Sequence, residues 1–239
     1  MNARVNLQLI KTTTFDSGAL GMLAMVLHQF SSPGRYRASI SSRGRVPKSV
    51  HFDVDAKSEA MQLNIDLAGT TTSIDKACRA VIPCGQSEEP ARLVVSPKGY
   101  VLFHASSGSG YSVIVSDSLG RVVFNSSKLG NGDLFAVSLL EPGSYSMKNS
   151  VDSSGGEISV GLPEKMFGKM HELETKYVDV IEKKLDPPRI ELISSQGLVF
   201  RIKSPARIVI AKEPIAKEEA TRMRLKPQVS WRKLETDRK

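Results

Sequence analysis

Two short stretches of the sequence, Ser32-Pro33-Gly34-Arg35-Tyr36 and Glu141-Pro142-Gly143-Ser144-Tyr145, share the pattern Pro-Gly-x-Tyr. Each stretch closely follows an apolar run, Met22–Leu27 in the first case and Leu134–Leu140 in the second. A run, a turn and a tyrosine that recur in the same order predict an internal duplication. Chance is the alternative, because Pro-Gly turns before aromatic strands are common in β proteins that have no repeat.

The repeated unit has a simple physical interpretation. An apolar strand crosses one sheet, proline and glycine turn the chain, and the tyrosine begins the next strand in the opposite sheet. We expect the rings of Tyr36 and Tyr145 to be buried, with each hydroxyl bonded to nearby backbone. The arrangement resembles the tyrosine corner of immunoglobulin-like sandwiches.

Further short segments alternate between apolar and polar residues and are separated by turns, which is typical of β-sandwiches. Residues 20–29 also fit a buried helix, but the repeat favours a strand. The predicted strands of a first unit are Arg4–Lys11, Leu20–Gln29, Tyr36–Ser41, Val50–Asp55 and Met61–Leu67. Those of a second unit are Arg92–Val95, Tyr100–Ala105, Tyr111–Ser116, Arg121–Asn125, Leu134–Leu140, Tyr145–Lys148 and Glu157–Gly161.

The predicted fold is therefore mostly β, an immunoglobulin-like antiparallel β-sandwich with two tandem units. The first unit spans residues 1–68 and the second spans residues 91–162. Residues 69–90, which contain both cysteines and many small polar residues, are interpreted as the linker between them. Residues 163–239 form a third region.

In that third region the apolar residues recur at steps of three and four, which predicts one amphipathic helix. Its apolar stripe consists of Met166, Met170, Leu173, Tyr177 and Val180. A small C-terminal hairpin is predicted next, with strands Arg189–Ile193 and Leu198–Lys203, and then a third short strand at Arg207–Ala211. The remainder is a basic C-terminal extension.

The chain has 239 residues, of which 40% are hydrophobic and 24% are charged, so a globular fold is expected. Its net charge is +8, and residues 163–239 contribute +6 of it. The N-terminus lacks the pattern of a secretion signal, and no apolar run is long enough to cross a bilayer. We therefore expect a cytoplasmic protein. Two cysteines, Cys78 and Cys84, do not make a disulfide framework.

No catalytic or metal signature stands out. The four histidines are far apart in sequence, and the spacing of Cys78 and Cys84 is not one that zinc sites use. Two groups of basic residues could contact anions. One is the first-unit hairpin, with Arg35, Arg37, Arg43, Arg45 and Lys48. The other is the C-terminal extension, where Arg222 and Arg224 stand near Trp231.

These patterns favour a non-enzymatic interaction or assembly protein without a cofactor. The predicted helix, with Met166, Met170, Leu173, Tyr177 and Val180, together with Arg222, Arg224 and Trp231, would bind another protein chain or a second copy. Two alternatives stay open. One is an accessory subunit of an enzyme complex. The other is a nucleic-acid-associated protein that uses the two basic groups. No membrane partner is expected.

Overall fold

A computed structural model of the chain describes residues 11–42, 47–69, 93–162 and 173–214. Within them the protein is mostly β and contains no helix, so none that could cross a membrane. The strands are β1 (Thr14–Asp16), β2 (Ala24–His28), β3 (Gly34–Ser42), β4 (Lys48–Val54), β5 (Gln62–Asp66), β6 (Val94–Val95), β7 (Tyr100–His104), β8 (Tyr111–Asp117), β9 (Val122–Asn125), β10 (Leu134–Ser138), β11 (Gly143–Asn149), β12 (Gly155–Gly161), β13 (Lys176–Ile181), β14 (Lys184–Asp186), β15 (Arg189–Ile193), β16 (Gly197–Ile202) and β17 (Ile208–Lys212).

The strands form three sheets. Sheet I has the order β6-β4-β3-β8-β9, sheet II the order β14-β13-β16-β10-β2-β7-β5, and sheet III the order β1-β17-β11-β12-β15. The sheets are mixed, since β4–β6, β5–β7, β12–β15 and β13–β16 pair in parallel. These four parallel pairs depart from the antiparallel sandwich predicted from the sequence, whereas the mostly β character is confirmed.

Strand formation follows the alternation of side chains. In β8, Tyr111, Val113 and Val115 are buried, while the residues between them face outward. The core also holds large aromatic side chains from sheet II, among them Phe103, which stacks on Phe124 of sheet I with ring centroids 5.3 Å apart. Sheet II therefore buries one of its faces against sheet I at this point.

The tyrosine geometry expected from the sequence is confirmed at both positions. Tyr36 and Tyr145 are buried. The Tyr36 hydroxyl donates to the Ser32 carbonyl at 2.7 Å, and the Tyr145 hydroxyl donates to the Glu141 carbonyl at 2.7 Å. The glycine that begins each of these strands has a positive φ, 154° at Gly34 and 139° at Gly143, a region that other residues avoid.

Residues 24–28 form a strand, so the choice of strand over helix for this region is confirmed. β2 pairs with β10 in antiparallel fashion, and Val26 lies opposite Phe135. β2 also pairs with β7, and β3 pairs with β8. Strands from the two predicted units, residues 1–68 and 91–162, therefore share both sheet I and sheet II.

The predicted helix is wrong where the structure describes it. Lys176–Ile181 is a strand, in which Val178 and Val180 are buried and Tyr177 is exposed. Tyr177 and Val180 are three positions apart, which would place them on one face of a helix but places them on opposite faces of a strand. The neighbouring β-branched residues favour the strand. The N-terminal part of the predicted helix, with Met166 and Met170, lies outside the described residues.

The predicted C-terminal hairpin is also wrong. Its two strands exist as β15 and β16, but they do not pair with each other. β15 pairs with β12 in sheet III, and β16 pairs with β10 and β13 in sheet II. The turn at residues 194–196 therefore carries the chain from one sheet to another. The third short strand of that region is present as β17.

Candidate interaction surface

The residues predicted to bind a partner do not form one stripe. Tyr177 is 50% exposed on β13 and Leu173 is 41% exposed just before it, whereas Val180 is fully buried. The Arg201 guanidinium lies 5.2 Å from the centroid of the Tyr177 ring, within the range of a cation–π contact. The other predicted partner residues, Met166, Met170, Arg222, Arg224 and Trp231, lie outside the described residues.

The predicted basic patch is divided. Arg35 and Arg37 are exposed on the outward face of sheet I, and Arg35 forms an ion pair with Asp53 at 3.2 Å. Lys48 pairs with Ile40 across the sheet, so it lies at an inward register position, and its Nζ is 3.5 Å from the carbonyl of Ala68. Arg43 and Arg45 lie outside the described residues.

A second candidate interaction surface, which is apolar, lies on sheet II. Its core-facing side carries fully buried residues such as Phe103, Phe135 and Phe200. The opposite side also carries apolar side chains at its centre, and these are half-buried and do not belong to the main core. We call this set the apolar face; it consists of Met25, Leu27, Leu102, Leu134, Ala136 and Val199.

Strand register makes the apolar face continuous. Leu134 lies opposite Leu27, and Leu27 lies opposite Leu102. In the adjacent row Ala136 lies between Met25 and Val199. Directly opposed residues in neighbouring strands have Cβ atoms about 4.5–5.5 Å apart, so these side chains are in contact range across four strands.

Charged groups border the apolar face on the β13–β16 side. The carboxylate of Asp179 accepts hydrogen bonds from Arg201 at 2.5 Å and from Lys203 at 2.6 Å. The hydrogen bond from Lys203, followed by that from Arg201, lowers the pKa of Asp179. This border is therefore ionised at neutral pH and carries a net positive charge from the two cations against one carboxylate.

The opposite border, at β5 and β7, carries Asp66 beside His104. Burial raises the pKa of Asp66, but hydrogen bonds from Ser106 and Ala68 and the nearby His104 outweigh it and lower the pKa overall. The Ser106 hydroxyl donates to this carboxylate at 2.5 Å. The Ser106 amide also donates to Asp66 at 3.0 Å, so the two bonds tie the loop after β7 to the end of β5.

A partly buried polar contact lies on the core side of sheet II, where β2 meets β10. His28 Nδ1 is 2.5 Å from Asp133 Oδ1, and the Gly130 amide donates to Asp133 Oδ2 at 2.6 Å. The histidine ring also packs against Phe30 and Phe124. Among the described residues, no group of three histidine, cysteine, aspartate or glutamate side chains could hold a metal ion.

The apolar face was not predicted from the sequence, although a signal was present. Met22–Leu27 and Leu134–Leu140 are nearly continuous apolar runs, whereas a strand with one solvated face alternates. An uninterrupted run indicates a strand that is apolar on both faces. Comparisons with protein families, with curated proteins and with solved structures found no match.

Proposed function

We propose that this protein is a non-enzymatic interaction or assembly protein, built on two immunoglobulin-like sandwich units, that binds another protein chain or a second copy of itself. The apolar face of sheet II is the observation that carries the proposal. It takes the place of the predicted helix as the docking element. Tyr177, which the sequence analysis proposed as a partner residue, lies opposite Val199 of this face.

Leaving the apolar face in water is unfavourable. Removing apolar surface from water contributes about 25 cal/mol per Å², and a contiguous apolar patch on a monomer commonly marks a binding site. The patch also has the composition of an interface, with an apolar centre and a charged rim at Asp179, Arg201 and Lys203. A partner with an apolar centre would fit it.

The proposal is tested by mass photometry of the tagged protein purified from its native host at native expression level. The chain alone has a mass of 26.1 kDa, so a bound partner or second copy gives a larger particle. Leu27→Glu places a charge in the centre of the apolar face and should reduce the particle to a single chain. Leu119→Glu is the matched control, because Leu119 is 75% exposed in the β8–β9 turn of sheet I.

Either of two outcomes would contradict the proposal: a parent protein that is already a single chain, or a complex that survives Leu27→Glu as well as it survives Leu119→Glu. Circular dichroism of both variants ensures that loss of the complex is not loss of the fold. Mass spectrometry of the parent complex separates the alternatives. A catalytic chain among the bound proteins would make this protein an accessory subunit of an enzyme complex.

A nucleic-acid-binding role is the second candidate, and the exposed Arg35 and Arg37 on the outward face of sheet I are the observation that favours it. Phosphate contacts release counterions, so such binding weakens steeply with salt. Arg37→Glu should abolish retention on a single-stranded DNA column, and Arg189→Glu, on sheet III, serves as the control. Retention that is equal for both variants would contradict a role for this face.

A further inference from the structure

The strand pairings of the protein occur twice. β2–β7, β3–β4, β3–β8 and β8–β9 are antiparallel, as are β10–β16, β11–β12, β11–β17 and β17–β1. β4–β6 and β5–β7 are parallel, as are β12–β15 and β13–β16. The two networks correspond in chain order, with two differences: the partner of β17 is β1, from the beginning of the chain, and β14, which pairs with β13, has no counterpart among the described strands of the first network.

The register also corresponds. Tyr36 lies opposite Phe52 and Asp117, and its counterpart Tyr145 lies opposite Ile158 and Lys212. Val26 and Phe135 are as far apart in the sequence as Tyr36 and Tyr145 are. Val26 and Phe135 lie directly opposite each other where β2 meets β10. The two networks are therefore related by a local two-fold axis that passes between β2 and β10.

The same spacing relates a motif that precedes each network. Phe15-Asp16-Ser17-Gly18-Ala19-Leu20-Gly21 corresponds to Phe124-Asn125-Ser126-Ser127-Lys128-Leu129-Gly130, with phenylalanine, serine, leucine and glycine identical at four positions. Leu20 forms an isolated bridge with Tyr111, and Leu129 forms one with Ala206. Both leucines are fully buried.

The contacts of the two motifs are the same. Ser17 donates its amide to the Ile208 carbonyl at 3.0 Å and accepts the Ile208 amide on Oγ at 3.2 Å. Ser126 makes the equivalent pair of bonds with Val113, both at 3.0 Å. Both serines are fully buried.

The side chains that precede the two serines also act alike. Asp16 Oδ1 accepts the Gly18 amide at 2.8 Å, and Asn125 Oδ1 accepts the Ser127 amide at 2.9 Å. Phe15 and Phe124, one position earlier, are both buried.

We propose that β17 and β8 carry equivalent sockets for an extended strand with the motif Phe-Asx-Ser, and that each socket is filled by the first strand of the opposite repeat. One repeat comprises β1–β8 and the other comprises β9–β17. β1 leaves its own repeat to pair with β17, and β9 pairs with β8. The chain is thus a fused, strand-exchanged dimer of one repeat, a conclusion that does not depend on the function proposed above.

This division differs from the units expected at residues 1–68 and 91–162. The earlier boundaries separate β5 from β7 and β3 from β8, although these strands belong to one pairing network. The new boundary lies in the β8–β9 turn, at residues 118–121. In the other repeat pair, the equivalent position lies between the end of β17 and the start of β1, which the described chain does not join by a turn.

One charged contact distinguishes the two sockets. Arg207 forms a bidentate ion pair with Asp16, at 3.0 and 2.7 Å. The residues at the equivalent positions of the other socket are Ser112 and Asn125, which carry no charge. An aspartate on β1 therefore prefers the β17 socket, because only that socket offers a guanidinium.

The equivalence of the sockets is tested by moving the ion pair. Asp16→Asn together with Asn125→Asp should lower the urea midpoint, because Arg207 loses its partner. Adding Arg207→Ser and Ser112→Arg should recover at least half of the loss, because the pair forms again in the β8 socket. The control replaces Ser112→Arg with Ser116→Arg, on the same strand and face. The proposal is overturned if the variant with Ser112→Arg is no more stable than the control with Ser116→Arg.

The exchange itself is tested by a covalent link between the repeats. Thr14 on β1 lies opposite Ala211 on β17, so Thr14→Cys and Ala211→Cys place two thiols where a disulfide can form. Cys78→Ser and Cys84→Ser remove the native thiols. A protease site inserted between Leu119 and Gly120 then cuts the oxidised full-length chain at the repeat boundary. We expect the two fragments to stay joined at the mass of one chain on a non-reducing denaturing gel. Separate fragments, or joined species of two chains, overturn the exchange within one molecule.

Discussion

Tyr145 shows how much one buried hydroxyl contributes at the scale of a residue. It is fully buried, and its hydroxyl donates to the Glu141 carbonyl. Burial, with a smaller contribution from Glu141, raises the pKa of Tyr145 to about 12. The neutral form is thus favoured in the folded protein, so this stability is fully present below pH 10 and is lost as the pH rises toward 12.

Replacing Tyr145 by phenylalanine tests this balance. Tyr145→Phe should lower the free energy of unfolding at pH 7 by about 1 kcal/mol, the usual net contribution of a hydrogen bond. Between pH 10 and 12 the parent protein should lose roughly 2–3 kcal/mol of unfolding free energy through Tyr145, since one pKa unit corresponds to about 1.4 kcal/mol. Tyr145→Phe should not show this loss. Urea titrations at several pH values measure both effects. Tyr177→Phe, at an exposed position, is the control, and an equal response of both variants would refute the assignment.

At the scale of an element, β13 shows how a helical spacing can mislead. Its buried residues are Val178 and Val180, two positions apart, and its outward residues are Tyr177 and Asp179. β13 pairs in parallel with β16, which places Val178 opposite Phe200 in the core. The helical pattern predicted for residues 166–180 places Tyr177 and Val180 on one face, whereas in the strand Tyr177 faces outward and Val180 faces the core.

Alanine substitutions distinguish the two interpretations of β13. In the strand, Val178→Ala leaves a cavity beside Phe200 and should cost roughly 1–3 kcal/mol of unfolding free energy. Tyr177→Ala removes an exposed ring and should cost less than about 1 kcal/mol. A helix with Tyr177 on its buried stripe would give the reverse order. Thermal and urea unfolding of the two variants decide between them.

At the scale of the whole molecule, the sheets tie the two ends of the described chain together. β1 pairs with β17, β9 pairs with β8, and β2 pairs with β10. All three contacts join residues of the first repeat to residues of the second. Neither repeat therefore completes its own sheets, and the buried side chains form one continuous core.

We accordingly expect a single cooperative unfolding transition. Calorimetry should show one peak, with a calorimetric enthalpy equal to the van't Hoff enthalpy. Ser17→Ala, which removes the buried hydroxyl from the Ile208 amide, should move that whole peak to lower temperature without splitting it. Two separate transitions, of which Ser17→Ala shifts only one, would show that the repeats fold independently.

Much of the local structure was predictable from the sequence. The strands from β3 to β12 lie close to their predicted positions, because side-chain alternation and Gly or Pro turns act over a few residues. The tyrosine corners were also predictable, since Pro-Gly places the hydroxyl next to a carbonyl four residues earlier. The sequence also contained the repeated Phe-Asx-Ser motif, but its serines look like ordinary turn residues until their burial is known.

Side-chain alternation and turn residues were enough to predict that the chain is mostly β, where most of its strands begin and end, and that a Pro-Gly-x-Tyr unit occurs twice. Which strands share a sheet became known from the folded chain: β1 joins β17, β15 and β16 separate, and the apolar face lies on sheet II. This difference arises because a strand offers the same backbone donors and acceptors along its length. Its partner is therefore selected by packing between residues that are distant in sequence.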